Sequence, residues 1–358
     1  MKTILHVIPN LTGGGAERQL ALLAAEQGRR GWNVHVALRR GGNYQEHLAD
    51  SGVVLHELGD LRRGHPLLFL RLHALVRRLR PELIQTWLLQ MDIVGGVVAI
   101  ANGVPWVISE RCSKDAYDET PRESWIRCVL GRRAACVVAN SRDGAHYWQE
   151  VMSTTERIAV IPNAIDVDAV RRAEPRRLAT SQREVVLCVG RLVPQKAHEI
   201  LVRAVALLPP SQQPDVVILG VGPLRDSLLD LVTELGLTAR IRQLPYQADW
   251  WGLLKTATAL INATRFEGQP NVVLEAMAAG CPVVVSDIPQ HREIVDETSA
   301  LLVPRDDPGA LATALASVLT DRASAAARAA AALERVRRST VQVAADLYER
   351  VYAGLDQR

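Results

Sequence analysis

Aromatic residues are scarce in this chain: 2 Phe, 6 Tyr and 7 Trp among 358 residues. The core must therefore be mainly Leu, Val, Ile and Ala. Long apolar runs are missing as well. The stretch 93–107 is broken by Gly95, Gly96, Asn102, Gly103 and Pro105. That excludes a membrane span and predicts a buried helix followed by a strand. The five cysteines (112, 128, 136, 188, 281) are odd in number and hold no C-x-x-C pair. They read as free thiols of a reducing, cytoplasmic compartment. Met1-Lys2 runs straight into an apolar strand pattern, so no signal peptide is expected. Net charge is only +3, which gives no argument for nucleic acid. No D-x-D pair of the kind metal-dependent transferases use is evident, nor a His/Cys ligand cluster, so neither metal nor cofactor is expected. The dinucleotide fingerprint G-x-G-x-x-G is missing, which disfavours a nicotinamide dehydrogenase.

What the chain does have is alternation. Short β-branched runs at 4–8, 33–38, 53–57, 83–86, 106–109, 136–139 and 158–161 are separated by Ala/Leu/Arg-rich helical stretches. A second series follows at 185–189, 215–219, 241–244, 259–261, 283–286 and 301–303. Such a pattern predicts parallel sheets covered by helices, and two series predict two Rossmann-like domains. The expected first domain is 1–166 and the second 167–340, with a polar, strand-free linker at 167–184. A final helix, about 341–358, carries Val343, Leu347, Val351 and Leu355 on one stripe. Ligands of open α/β sheets bind beyond the carboxyl ends of the strands, so loops should carry the chemistry.

The densest candidate is Phe266-Glu267-Gly268-Gln269-Pro270-Asn271-Val272-Val273-Leu274-Glu275-Ala276-Met277-Ala278-Ala279-Gly280. Pro270 suits the first position of a helix, and Gly280 suits its end. Glu267 then lies in the loop before the helix, and Glu275 one turn beyond Asn271 on the same face. The helix start at Pro270–Val272, with its free N–H groups, forms an anion site. A place that offers anion binding and two hydroxyl acceptors fits a nucleotide-sugar.

This stretch resembles the donor-site motif of the family-4 retaining glycosyltransferases of the GT-B fold. That motif is Glu, seven residues, Glu, then Ala-Met-Ala-x-Gly-x-Pro-Val-Val, matched here by Glu267, Glu275 and Gly280-Cys281-Pro282-Val283-Val284. The resemblance implies two α/β domains facing across a cleft, with the last helix crossing back to the first. Gly190-Arg191-Leu192-Val193-Pro194-Gln195-Lys196 resembles the family's Gly-Arg…Lys-Gly motif, with Ala197 where the glycine usually stands. Arg191 and Lys196 can clamp a diphosphate and neutralise charge as the sugar–phosphate bond breaks. Gly222 in Gly220-Val221-Gly222 and Leu244 in Leu244-Pro245-Tyr246 match segments near the nucleotide, and Gln269 joins the donor set. In the first domain, Gly13-Gly14-Gly15-Ala16-Glu17-Arg18 resembles the family's glycine loop. Gly14 and Gly15 would approach the donor, and Glu17 stands on the acceptor side.

Ser109-Glu110-Arg111 departs from the family, which often has a histidine after this strand. Glu110 can accept a hydroxyl proton and Arg111 can bind phosphate; equally, the two can pair and only shape the loop. Asn163, in the segment that resembles the family's hinge, is expected to bond its own backbone in a turn.

Residues 61–80 hold six arginines (62, 63, 71, 77, 78, 80) and no acid. Leu68, Leu72, Leu75 and Leu79 recur at helical spacing and should face the core. The basic face is either simply solvated or docks peripherally on an anionic membrane surface, at the inner face of the cytoplasmic membrane. The expected activity is retaining transfer of a hexosyl or N-acetylhexosaminyl group. It would pass from a nucleotide-diphosphate sugar, most simply UDP-linked, to a glycan or lipid-linked acceptor in envelope polysaccharide or glycolipid synthesis. Rival readings are a sugar phosphorylase, a nucleotide-sugar epimerase, or a non-catalytic subunit that keeps the fold.

Overall fold

In a computed structural model of the chain, residues 2–62, 64–177, 183–247 and 250–355 are described. The chain divides into two compact units, Met1–Ala164 with Val341–Arg358, and Ile165–Thr340. Arg63 of the basic stretch lies outside the described residues.

The first unit is built on seven parallel strands: β1 (Thr3–Asn10), β2 (Asn33–Arg40), β3 (Val54–Glu57), β4 (Leu83–Trp87), β5 (Trp106–Glu110), β6 (Cys136–Ala139) and β7 (Ile158–Val160). Their order is β3-β2-β1-β4-β5-β6-β7, so the direction of winding reverses between β1 and β4. Every residue of β4, β5 and β6 is buried, as expected for parallel strands covered on both faces. One face is closed by Leu68, Leu72, Leu75 and Val76 of the helix Pro66–Leu79, together with Met91, Val94 and Val98 of the helix Leu89–Asn102. Leu79 is only partly buried but packs on the same cluster.

The other face is closed by the helices Gly15–Arg29 and Val341–Leu355. In the last helix the buried positions are Val341, Ala344, Ala345, Tyr348 and Tyr352. Of the aliphatic stripe read from sequence, Leu347, Val351 and Leu355 are partly buried and pack on the same cluster, while Val343 is exposed. The tyrosines turn inward because their hydroxyls find polar partners there. Tyr352 donates to Gln85 Oε1 and accepts from Gln27 Nε2 at 3.4 Å. His6 links to the same set. Its Nδ1 accepts from Trp87 Nε1 at 3.2 Å, so its protonated Nε2 donates to Gln27 Oε1 at 2.8 Å.

The second unit holds six parallel strands: β8 (Val185–Val189), β9 (Asp215–Leu219), β10 (Ile241–Leu244), β11 (Ala259–Asn262), β12 (Val283–Ser286) and β13 (Leu301–Val303). Their order, β10-β9-β8-β11-β12-β13, repeats the reversal, now between β8 and β11. The carboxyl ends of β8, β9, β11 and β12 therefore meet around one switch point, where open sheets bind ligands. Within the segment expected as a linker, Val167–Arg172 is helical, because Asp166 caps it by accepting from Ala169 N at 2.8 Å. Residues 178–182 of that segment lie outside the described residues.

Candidate active site

The loop after β8 is shaped by backbone packing. Leu192 N donates to Val221 O at 3.0 Å, and Leu224 N donates to Leu192 O at 3.1 Å. A Cβ on Gly220 would stand 1.9 Å from Gly190 O, and one on Gly222 would stand 2.3 Å from Leu192 O. Both glycines are required because two loops touch through their main chains. Leu244, the last residue of β10, closes the same corner by accepting from Gly220 N at 2.9 Å.

Lys196 ends the short turn Pro194–Lys196. The next residue, Ala197, is fully buried with φ +47° and ψ +41°. The resembled motif has glycine here, and the left-handed backbone supplies the reason. His198 is buried and structural: its ring bonds Arg191 O at 3.0 Å and Cys188 Sγ at 3.2 Å.

The loop after β11 folds against this turn. Gln195 Nε2 donates to Phe266 O at 2.8 Å, Arg265 N donates to Gln195 O at 2.8 Å, and Thr264 Oγ1 donates to Gln195 O at 2.9 Å. This lacing brings the ammonium of Lys196 into an ion pair with Glu267 Oε1. Arg191 remains exposed, with Nη2 donating to Gln195 Oε1 at 3.2 Å. Gln195 and Thr264 are thus site-building residues that motif reading passed over. Gln195 sat inside the quoted motif, but only the fold shows which loop it grips.

Gln269 is buried between Glu267 and the helix Asn271–Ala279. Pro270 is the N-cap of that helix and not its first residue: its ψ of 105° is extended, so the helical ladder starts one position later. No side chain caps this start. Glu275 lies within the helix and is 1% exposed, whereas Asn271 and Val272 are half-buried. Gly280 ends the helix at φ +70°, as read from sequence. Arg191, Lys196, Glu267, Gln269, Glu275 and the helix start thus gather in one unit, at the switch point of its sheet.

In the first unit, the helix Gly15–Arg29 begins at Gly14, again without a side-chain cap. A Cβ on Gly14 would stand 2.2 Å from Glu17 Oε2, so the buried Glu17 packs beneath the glycine loop. Glu110 does not have the open carboxylate that a proton acceptor needs. It is fully buried, and each oxygen is taken twice. Oε1 accepts from Cys112 N at 2.9 Å and Tyr117 Oη at 2.6 Å. Oε2 accepts from Arg127 Nη1 and Trp148 Nε1, both at 2.8 Å. Arg127 also donates through Nε to Asp92 Oδ2 at 2.7 Å.

Nor does Glu110 pair with Arg111. The Arg111 guanidinium stacks 4.5 Å from the Trp87 ring centre. It donates to Asn163 Oδ1 at 3.1 Å and to Tyr348 Oη. Asn163 accepts from Asn140 Nδ2 at 3.2 Å as well, so its side chain joins this network. The spacing Asp166-Val167-Asp168 does occur in the chain, but Asp166 is used as a helix cap. Among the described residues no group of three or more His, Cys, Asp or Glu is placed to hold a metal ion.

Comparison with known proteins adds the following. Residues 13–169 match the family described as Glycosyltransferase Family 4, and residues 183–321 match Glycosyl transferases group 1. A Campylobacter jejuni N-acetylgalactosamine-N,N'-diacetylbacillosaminyl-diphospho-undecaprenol 4-alpha-N-acetylgalactosaminyltransferase is 30% identical over 196 residues, 54% of this chain. The chain spans about half of that relative, 53% of its length. An Escherichia coli UDP-Gal:alpha-D-GlcNAc-diphosphoundecaprenol alpha-1,3-galactosyltransferase is 24% identical, over 85% of this chain and 84% of its own length. Among solved structures, Anabaena HepE in complex with UDP-glucose superposes with a TM-score of 0.88 at 22% identity, covering 100% of both chains. That likeness shows the fold.

Proposed function

The chain belongs to the glycosyltransferases that these two family descriptions cover, and on that premise we propose retaining transfer from a UDP-linked hexose or N-acetylhexosamine. The acceptor is a hydroxyl of a glycan or lipid-linked saccharide of the cell envelope. The convergence of Lys196 and Glu267 beside an uncapped helix start carries this reading. The undecaprenol-linked acceptors in the names of the two relatives support the acceptor class.

The donor enters between the turn Pro194–Lys196 and the helix Asn271–Ala279. Its diphosphate meets Arg191, Lys196 and the N–H groups of Asn271 and Val272, where helix polarity and cations both favour negative charge. Glu267 leaves Lys196 and accepts from hydroxyls of the sugar. Glu275 accepts from the ribose, and Gly222 and Leu244 border the base. As the sugar–phosphate bond breaks, charge grows on the leaving oxygen, and the two cations stabilise it without metal or cofactor. The acceptor hydroxyl attacks the same face, and a phosphate oxygen takes its proton. Within the first unit, Glu17 packs beneath the glycine loop at Gly14. Glu110 and Arg111 shape the loop after β5 and take no part in proton transfer.

No helix among the described residues is long and apolar enough to cross a membrane. We assign contact with lipid-linked acceptors to the basic helix Pro66–Leu79, on the cytoplasmic face. Arg71, Arg77, Arg78 and Leu70 of that helix are exposed. The deciding experiment is a panel of nucleotide sugars read by thermal shift, since a ligand stabilises by RT ln(1 + [L]/Kd). Transfer from the stabilising donor to a lipid-linked acceptor is then followed. Stabilisation by no nucleotide sugar would overturn the reading.

A further inference from the structure

His291 was not singled out by any sequence motif, yet it lies at the root of the donor loops. It follows β12, the strand beside β11, and is fully buried. Its Nδ1 stands 2.6 Å from Ser286 O. A carbonyl can only accept, so Nδ1 carries the proton and Nε2 of the neutral ring is a bare lone pair. That buried Nε2 has no hydrogen-bond partner among the described residues. Ser286 Oγ in turn donates to Thr264 O at 2.5 Å, and Thr264 is laced to Gln195 and Phe266. The ring is therefore tied to both loops that carry the Lys196–Glu267 pair. It also stands within the field of that pair. Burial is the main cause holding its pKa down at about 4, with Glu267 raising it and Lys196 lowering it.

We propose that His291 is a positioning residue of the donor site, its Nε2 accepting an N–H of Lys196 when the donor sugar draws Glu267 away. The proposal rests on the roles given above to Lys196 and Glu267. Once the carboxylate turns to sugar hydroxyls, the ammonium needs a neutral protein acceptor that keeps it within reach of the diphosphate. A charged partner would fail: a carboxylate would hold the ammonium back, and a cation would repel it.

The test separates the two ring nitrogens. His291→Asn keeps a donor to Ser286 O and offers nothing at the Nε2 position. His291→Gln reaches the Nε2 position and gives up Ser286. The Asn variant should melt near wild type and lose about 10-fold to 100-fold in kcat, the size seen for orienting partners behind metal ligands. The Gln variant should melt lower and keep kcat within about threefold of wild type, since the catalytic contact is preserved. Lys196→Ala is the control for the site itself. Loss of turnover in Lys196→Ala with wild-type kcat in His291→Asn overturns the role of His291 alone. Wild-type turnover in Lys196→Ala overturns the donor-site reading beneath it.

Discussion

Glu110 closes on Arg127 at 2.8 Å and not on its neighbour Arg111. Arg127 is 1% exposed and bridges two fully buried carboxylates, Glu110 and Asp92. It also lies under two aromatic rings, with Tyr117 and Trp148 each 4.9 Å from the guanidinium. Removing the cation would leave two carboxylates in a dry interior. Arg127→Met should therefore cost about 3–5 kcal/mol, read by urea unfolding. Glu110→Gln should also lower the melting point, and its turnover per folded molecule should stay close to wild type. A folded Glu110→Gln without turnover would restore this carboxylate to the chemistry.

The buried titrating groups set opposite responses to pH. Burial pushes His6 and His291 down to about 4 from an ordinary 6.5. The unfolded chain takes up these protons first, so the stability they supply is full above pH 6.5 and lost as pH falls through 4. Asp92 runs the other way. Burial, ahead of the attraction from Arg127, raises its carboxyl to about 6 from 3.8. Its contribution is full below about pH 4 and lost as pH rises through 6. Two groups oppose one, and stability should fall between pH 6.5 and 4.5. Asp92→Asn removes the opposing contribution, so its unfolding free energy should fall more steeply over that interval, whatever its absolute value at pH 7. Urea titrations at several pH values measure both slopes.

The helix Pro66–Leu79 turns its leucines to the core and leaves Arg71, Arg77 and Arg78 exposed. Each basic residue near an anionic surface adds about 1 kcal/mol. Arg77→Gln with Arg78→Gln should weaken sedimentation with anionic vesicles about 30-fold at low salt, and should leave any binding to zwitterionic vesicles unchanged. Equal binding of both proteins to anionic vesicles would assign the face to solvent.

Both sheets were legible in the sequence because parallel strands, buried on both faces, read as continuous β-branched runs. The donor helix was legible because proline and glycine mark its two ends. The use of Glu110 was not. A carboxylate at a strand end looks the same in sequence whether it faces a ligand or a buried arginine 17 positions away. Arg127 gave no signal either, since helix surfaces are rich in arginine and only tertiary packing buries this one. His291 was hidden for the same reason: its partner is Ser286 at the end of β12, which in turn bonds Thr264 on the loop after β11. The last helix was legible in part: Leu347, Val351 and Leu355 of its stripe pack on the core, but nothing in the spacing marks Tyr348 and Tyr352 as buried.

Ala197 carries a left-handed backbone that favours glycine, directly after Lys196. An L-residue there costs about 1–2 kcal/mol relative to a right-handed conformation. Ala197→Gly relieves that strain but removes one buried methyl group and frees the unfolded chain, which together offset part of the gain. The expected net change is a rise of up to about 1 kcal/mol in unfolding free energy, with turnover unchanged because the loop path is kept. Clear destabilisation in calorimetry would mean that the buried methyl outweighs the backbone.

Lys196 and Glu267 neutralise each other while the donor is absent, and both are asked to change partner when it arrives. Truncating either one should therefore do two things. Lys196→Ala should lower kcat/KM about 100-fold to 1,000-fold, the size seen when one donor to a developing anion is lost. Glu267→Gln keeps the shape but weakens the acceptor, and it frees Lys196 for the diphosphate. It should raise KM for the sugar nucleotide while binding UDP at least as tightly as wild type does. The two changes share one ion pair, so their effects on kcat/KM should not add. A double variant whose loss equals the sum of the single losses, in free energy, would mean that the pair seen here has no part in the catalytic cycle.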